Sequence, residues 1–132
     1  MLRFLALLAV LTTFSDCHPT DAQVWRASTE NGDKPGIGYE LRKEKGAVAG
    51  YGYILDPDHP HDFSHGKRAA MTLVEQSPNQ IVFRVKWDRD LKATLRFRFK
   101  QADWPDSFQA DVTEINGSEE YDTDTFTFAK VK

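Results

Sequence analysis

The sequence contains very little cysteine, since Cys17 is the only one among 132 residues. One thiol cannot build an intramolecular disulfide framework or a four-thiolate zinc site, so neither stabilises this chain. Basic residues are not in excess either, because 17 Lys and Arg stand against 20 Asp and Glu, for a net charge of −3. A dedicated nucleic-acid-binding protein is normally basic, and this balance argues against nucleic acid as a partner.

Long hydrophobic runs are missing beyond the N-terminus. The apolar stretch over residues 4–14 is too short to span a bilayer and follows a positively charged residue, which is the pattern of a signal peptide. Small residues at Thr20 and Ala22 favour cleavage after Ala22. The sequence therefore predicts a signal peptide over 1–22 and a single domain over 23–132, exported to the periplasm or the extracellular space, with no transmembrane segment.

Cys17 offers a second interpretation of the N-terminus. A lipoprotein signal would make this cysteine the lipid-modified first residue of the mature protein. The residue before such a cysteine is normally small and uncharged, whereas here it is Asp16. Cleavage after Ala22 is therefore favoured, and it leaves a mature chain without cysteine.

Helical periodicity is absent from every segment long enough to form a helix. Short apolar or alternating runs are separated by clusters of Gly, Pro, Asn and Asp, which is typical of an all-β protein. The pattern predicts eight strands, over residues 24–29, 37–45, 47–55, 70–76, 80–87, 92–100, 108–115 and 125–131. We expect tight turns at Lys45-Gly46 and Asn116-Gly117, and a solvated turn over 119–124.

The fifth and sixth strands have the clearest alternation. Their apolar positions are Ile81, Phe83, Val85 and Trp87 in one and Ala93, Leu95, Phe97 and Phe99 in the other. A period of two predicts a half-buried antiparallel hairpin whose large rings anchor the core. We expect Trp87 to lie opposite Ala93, which places Arg84 opposite Arg96.

Eight sequential strands with mostly short links predict an antiparallel meander closed into a small barrel, with a two-sheet sandwich as the alternative. With Trp25 in its first strand, the chain resembles the small calycin-type barrels, which include lipocalins and avidins. The Gly that normally precedes this Trp by two residues is Gln23 here. The resemblance implies ligand binding in the barrel mouth and transfers no specific binding residue. Trp25 is retained as a candidate ligand-binding residue.

One loop holds all three histidines that follow the predicted cleavage site, at His59, His61 and His65. Neighbouring prolines favour an extended backbone, in which His59 and His61 point the same way. With His65 and either Asp58 or Asp62, they would form a nitrogen and oxygen set suited to zinc, copper or nickel. The spacing matches no catalytic metal motif, so a stiff polar loop without a cofactor is the simpler interpretation.

A cationic strip is predicted on the solvent side of the hairpin, formed by Arg84, Lys86, Arg96 and Arg98. Like charges opposed in a sheet are unfavourable, so something should compensate them. Acidic side chains of adjacent strands, such as Glu75, Asp111 or Glu114, would do so. Alternatively, the strip docks an anionic polymer, a lipid head group or an acidic partner. The slightly acidic chain favours the first interpretation.

These features leave three classes of function, none with a recognisable catalytic constellation behind it. The leading expectation is an exported binding module without enzymatic activity, whose ligand is a small molecule or a protein. The second is an inhibitor or other interaction protein that acts on a secreted or envelope enzyme, with the loop of histidines as its inserted element. The third is a metal-binding protein or metal-dependent enzyme that uses that loop.

Overall fold

The structure is a computed structural model that describes residues 22–28, 36–101 and 103–131. The predicted signal peptide up to residue 21, including Cys17, lies outside the described residues. The strands are β1 (Gln23–Ser28), β2 (Ile37–Glu44), β3 (Ala47–Ile54), β4 (Lys67–Ser77), β5 (Gln80–Lys86), β6 (Lys92–Phe99), β7 (Ser107–Asn116) and β8 (Glu119–Lys130), and a short 3-10 turn covers Phe63–His65.

The strands pair in sequence order, each antiparallel to the next, and the last returns to the first. The meander and the closed barrel are thereby confirmed, and the alternative of a two-sheet sandwich was wrong. The seam between β1 and β8 is short: Trp25 pairs with Lys130 and Arg26 with Ala129. The Val131 amide extends it by donating to the Val24 carbonyl oxygen at 2.8 Å.

Because the strands alternate in direction, the connections fall at two ends of the barrel. The loop end carries the connections over 55–66, 87–91 and 117–118, and the turn end carries those over 45–46 and 78–79. The predicted turn at Lys45-Gly46 is confirmed, with φ angles of 53° and 84°. Two consecutive positive φ angles are typical of the type I′ turn, whose twist matches that of the flanking strands.

Large side chains pack across the barrel interior. On β5 and β6 the buried positions include Ile81, Phe83, Val85, Leu95, Phe97 and Phe99, so the predicted faces are confirmed. The ring of Phe97 meets Phe83 at 5.6 Å and Tyr39 at 5.2 Å, both edge to face. A Cβ at Gly52 would lie 2.5 Å from the Trp87 ring, so the bare backbone of β3 makes room for that ring.

The hairpin register differs from the prediction by two residues. Val85, and not Trp87, lies opposite Ala93, so Arg84 faces Thr94 and not Arg96. The reason is the connection, in which the Trp87 amide donates to the Leu91 carbonyl oxygen at 2.8 Å and ends the strand before the tryptophan.

The last strand begins earlier than the sequence predicts. The expected solvated turn over 119–124 was wrong, because these residues pair with β7 from Glu119 onward. The turn is only Gly117-Ser118, with Gly117 at a φ of 66°. Ladder hydrogen bonds to β7 stabilise an acidic segment whose own strand propensity is low.

Candidate functional site

The barrel interior is a packed core. The rings of Trp25, Phe83, Phe97 and Phe128 are at most 1% exposed, and each contacts at least one other ring of the core. At the loop end of this core, burial raises the pKa of Tyr39, and the carboxylates of two neighbouring strands reinforce the effect. The groups available to a partner among the described residues therefore lie on the outside of the barrel.

Trp25 lies at the turn end of this core. Its indole Nε1 donates to the Pro105 carbonyl oxygen at 2.8 Å, and the Trp104 ring packs edge-on against it at 5.2 Å. The ammonium of Lys130 lies 5.9 Å from the indole ring. These contacts show that the Trp25 side chain packs in the core. A role for Trp25 in ligand binding stays a prediction.

The histidine loop, residues 56–66, is folded by consecutive turns and is not extended. The His59 amide donates to the Asp56 carbonyl at 2.8 Å, and the Asp62 amide donates to the His59 carbonyl at 3.1 Å. The expected parallel orientation of His59 and His61 is therefore wrong. His61 Nδ1 lies 3.0 Å from the Ser28 hydroxyl, whereas the His59 ring stacks on His65 at 4.3 Å.

Asp62 organises the second half of this loop. Its Oδ1 accepts from the Ser64 hydroxyl at 2.5 Å and from the Ser64 amide at 3.0 Å, and its Oδ2 is 2.7 Å from His65 Nδ1. These hydrogen bonds, led by that of the Ser64 hydroxyl, lower the pKa of Asp62 to about 2. Since Nδ1 of His65 faces the carboxylate, Nε2 is the ring nitrogen left for another partner.

Three of the four predicted metal-binding residues come together in this loop. One ligand atom from each of His59, Asp62 and His65 lies within 4.8 Å of the other two, whereas His61 points to β1. A carboxylate bound to Nδ1 is the arrangement that commonly orients a metal-binding imidazole. The donor set fits zinc, copper or nickel.

Phe63 fixes the histidine loop to the outer surface of β1–β3. Its ring lies 4.8 Å from that of Tyr53, and the Arg26 guanidinium lies over it at 4.9 Å. A Cβ on Gly38 would come within 2.7 Å of the Phe63 ring, so glycine at this position allows the close approach. We call this arrangement the Phe63 anchor.

Beside the Phe63 anchor lies a group that we call the arginine cluster, formed by Arg26, Arg42, Arg68, Glu40 and Tyr51. Glu40 is fully buried, and its two oxygens accept from Arg26 Nε at 2.8 Å and from Arg42 Nε at 2.7 Å. The hydrogen bond to Glu40 raises the pKa of Arg42. The guanidiniums of Arg42 and Arg68 lie 5.3 and 4.7 Å from the Tyr51 ring.

The arginine cluster was not predicted from the sequence, although one signal was available. Arg26 alternates with the apolar Trp25 and Ala27, which indicates an outward side chain. That signal does not predict the ion pair between Arg26 and Glu40. The pair depends on the register between the adjacent strands β1 and β2.

The four residues of the predicted cationic strip fall into two groups in the structure. Arg96 Nη2 donates to Glu120 at 2.9 Å, and Arg98, opposite Asp111, donates from Nε to Gln80 Oε1 at 3.2 Å. Asp111 lies opposite Arg98 in the register, but its Oδ1 accepts from the Thr125 hydroxyl at 2.7 Å. The carboxylate that binds the strip is that of Glu120, which was not foreseen.

The remaining cations of the strip lie at the loop end. Arg84 lines an open pocket of about 450 Å³ together with Lys92, Glu114 and Tyr121. Lys86 is exposed and lies directly opposite Lys92 in the hairpin register. A partner-binding role for Arg84, Lys86, Arg96 and Arg98 stays a prediction.

Comparison of the chain with protein-family models, with curated proteins and with solved structures gives no match. No helix among the described residues is long and apolar enough to cross a membrane. The function must therefore be inferred from the geometry of the barrel and its outer surface.

Proposed function

We propose that this protein is an exported binding module without catalytic activity, calycin-like in architecture, which contacts a protein partner through its outer surface. The binding surface is the histidine loop together with the adjoining face of β1–β3. The observation that carries this proposal is the Phe63 anchor, which fixes an exposed polar loop to a rigid sheet. A loop fixed before binding loses less conformational entropy when the partner docks.

The packed interior favours a protein partner over a small ligand held in the barrel mouth. Small-molecule sites are concave and bury most of the ligand surface. Here the rings of Phe83, Phe97 and Phe128 occupy the interior that such a ligand would need. The partner that a fixed and exposed loop suits best is a secreted or envelope enzyme, which the protein would bind as an inhibitor.

Site-specific photocrosslinking tests the proposed surface. A photoreactive amino acid replaces Pro60, which is exposed in the histidine loop, or Gln109, which is exposed on β7, four strands from β3. We expect position 60 to yield a discrete crosslinked protein in envelope or medium fractions, and position 109 to yield none. The captured protein, once identified and purified, should bind the wild-type barrel. Absence of a crosslink at position 60, or identical products from both positions, would contradict the proposal.

Export has its own test. Protein recovered from the envelope or the medium should begin at Gln23 by N-terminal sequencing. A lipid-modified Cys17 at the N-terminus would instead place the barrel on a membrane surface.

A divalent metal site in the histidine loop is the second candidate function. It is favoured by the approach of His59, Asp62 and His65 and by the hydrogen bond between His65 Nδ1 and Asp62. Asp62 and Ser64 supply the orienting contacts that the sequence alone did not reveal. The two imidazoles would bind the ion, and the carboxylate would either bind it or hold His65 in place.

Thermal unfolding with added zinc tests this candidate. A ligand that binds only the folded state raises the melting temperature, so we expect added zinc to raise it in a saturable way. His59→Ala and His65→Ala should abolish the stabilisation. His61→Ala is the matched control, because His61 belongs to the same loop but faces Ser28. Equal zinc shifts in all three variants, or none in the wild type, would rule the site out.

A further inference from the structure

The arginine cluster has an unusual internal geometry. One buried carboxylate, that of Glu40, binds Arg26 and Arg42, and both hydrogen bonds come from Nε. Side chains of these two arginines remain 37% and 39% exposed. Each guanidinium has five N–H donors, so an Nε contact leaves the Nη groups for a second partner. Glu40 therefore holds two guanidiniums on one carboxylate through their Nε atoms.

Aromatic rings also restrict the side-chain motion of all three arginines of the cluster. Arg26 lies over Phe63, and Arg42 and Arg68 share the ring of Tyr51. Stacking on a ring holds the guanidinium plane in place without using its hydrogen-bond donors. The side chains thus have little rotational freedom to lose when an oxyanion binds.

The charges of the cluster do not balance. The cluster contains three guanidiniums and one carboxylate, which binds Arg26 and Arg42. Arg68 lies over the Tyr51 ring and has no carboxylate within ion-pair distance among the described residues. The chain as a whole is acidic, with a net charge of −3, so it repels long polyanions at a distance. The excess positive charge is local, which suits a short segment with a few carboxylates.

We propose that the arginine cluster binds carboxylate side chains of an acidic segment in the protein partner. This inference rests on the proposed function and adds the chemistry of the partner. Paired N–H donors of a guanidinium match the two oxygens of a carboxylate, so Arg26 and Arg42 would each bind one acidic side chain or share one between them. Arg68 would bind a second acidic residue along the same segment.

The probe is an acetylated and amidated hexaglutamate peptide, with hexaglutamine as the neutral control. Because the Nε–H groups of Arg26 and Arg42 are hydrogen-bonded, their NMR signals report on the cluster directly. We expect hexaglutamate to shift both signals in a saturable way, with an affinity that falls as salt is raised. Hexaglutamine should leave both unchanged.

Two substitutions separate geometry from charge. Arg42→Lys keeps the charge but loses the planar fork, and should weaken hexaglutamate binding about tenfold. The matched control is Arg89→Lys in the exposed connection between β5 and β6, outside both the arginine cluster and the cationic strip, and it should bind like the wild type. Glu40→Gln raises the net positive charge, yet it should also weaken binding, because the guanidiniums lose the group that orients them. Since Glu40 is buried, its variant is compared only if its melting curve shows a folded barrel, and otherwise the two Arg→Lys variants decide.

Several outcomes would overturn the inference. These are the absence of hexaglutamate binding, equal affinity of the two Arg→Lys variants, and tighter binding by a folded Glu40→Gln variant. Binding of inorganic polyphosphate or phosphatidylglycerol vesicles in place of hexaglutamate would assign the cluster to a different anion. If the crosslinked partner binds Arg42→Lys as well as the wild type, this inference fails while the proposed function stands. If position 60 captures no partner, the proposed function fails whatever the peptide does.

Discussion

The interior of the barrel and the outer surface of β1–β3 both contain large aromatic rings, but the rings have different neighbours. Inside, Phe97 packs against Phe83, Tyr39 and Phe128. Outside, Phe63 and Tyr51 pack against guanidiniums. Ring-to-ring packing depends on shape and excludes water, whereas a ring beside a cation leaves that cation able to bind something else. The interior is suited to stability and the outer surface to recognition.

The two regions also differ in how they accommodate ionisable side chains. Burial of a charge is costly unless the charge is paired and hydrogen-bonded, and Glu40 satisfies this requirement through two arginines on the outside of the sheet. In the interior, burial raises the pKa of the Tyr39 hydroxyl, because the ionised form would lose its hydration there. Four substitutions test this contrast, from the largest expected effect to the smallest.

Phe97→Ala should have the largest effect on stability. The ring is fully buried among other rings, and removing such a ring costs about 3–5 kcal/mol. Urea unfolding monitored by circular dichroism measures the loss. Trp87→Ala, at a partly buried position of the same core, should cost less. Equal costs at the two positions would show that the interior is less tightly packed at Phe97 than its contacts imply.

Gly52→Ala should destabilise the barrel by about 1–3 kcal/mol, because the new methyl group overlaps the Trp87 ring. A smaller ring in Trp87→Phe should partly relieve the overlap, so the double variant should be more stable than the sum of the two single losses predicts. Additive losses would show that the ring moves aside freely.

Phe63→Ala should cost about 1–2 kcal/mol, since the ring is partly exposed and contacts one aromatic ring and one guanidinium. Its main consequence should be local. Amide hydrogen exchange in residues 56–66 should accelerate, while that of β5 and β6 stays unchanged. Uniform acceleration across the barrel would show that the Phe63 anchor belongs to the global core.

The ionisation of Tyr39 gives the smallest effect. Its pKa in the folded state lies above the ordinary value of 10.0, so the stability it contributes is complete below pH 10 and is lost as pH rises further. The expected slope is about 1.4 kcal/mol per pH unit above pH 10. Tyr39→Phe should lack this contribution, and the difference between the two proteins at pH 9 and pH 11 isolates it from other titrating groups.

The sequence predicts the fold well where one strand carries its own signal. Alternation in β5 and β6 identifies Phe83, Phe97 and the other residues of the same face as interior. Turn residues such as Gly46 and Gly117 predict where the strands are connected. Periodicity fails over 119–124, where acidic residues form a strand because β7 pairs with them. It also fails to fix the hairpin register, which one hydrogen bond from the Trp87 amide determines.

The outer surface was less predictable because several elements build it. The approach of His59 to His65 depends on turns that proximity in sequence does not specify. The arginine cluster depends on the register of four strands, since Arg26, Glu40, Tyr51 and Arg68 come from β1, β2, β3 and β4 in turn. A composition or a motif carries no information on such cross-strand neighbours.

The short seam between β1 and β8 determines how the barrel is presented when it is attached to anything else. β1 begins and β8 ends at the turn end, beside each other, and the histidine loop lies at the loop end. A fused reporter, a solid support or a lipid joined before β1 or after β8 would therefore be kept a full strand length away from that loop. The barrel itself then serves as a spacer, so immobilisation by either terminus should leave the histidine loop accessible.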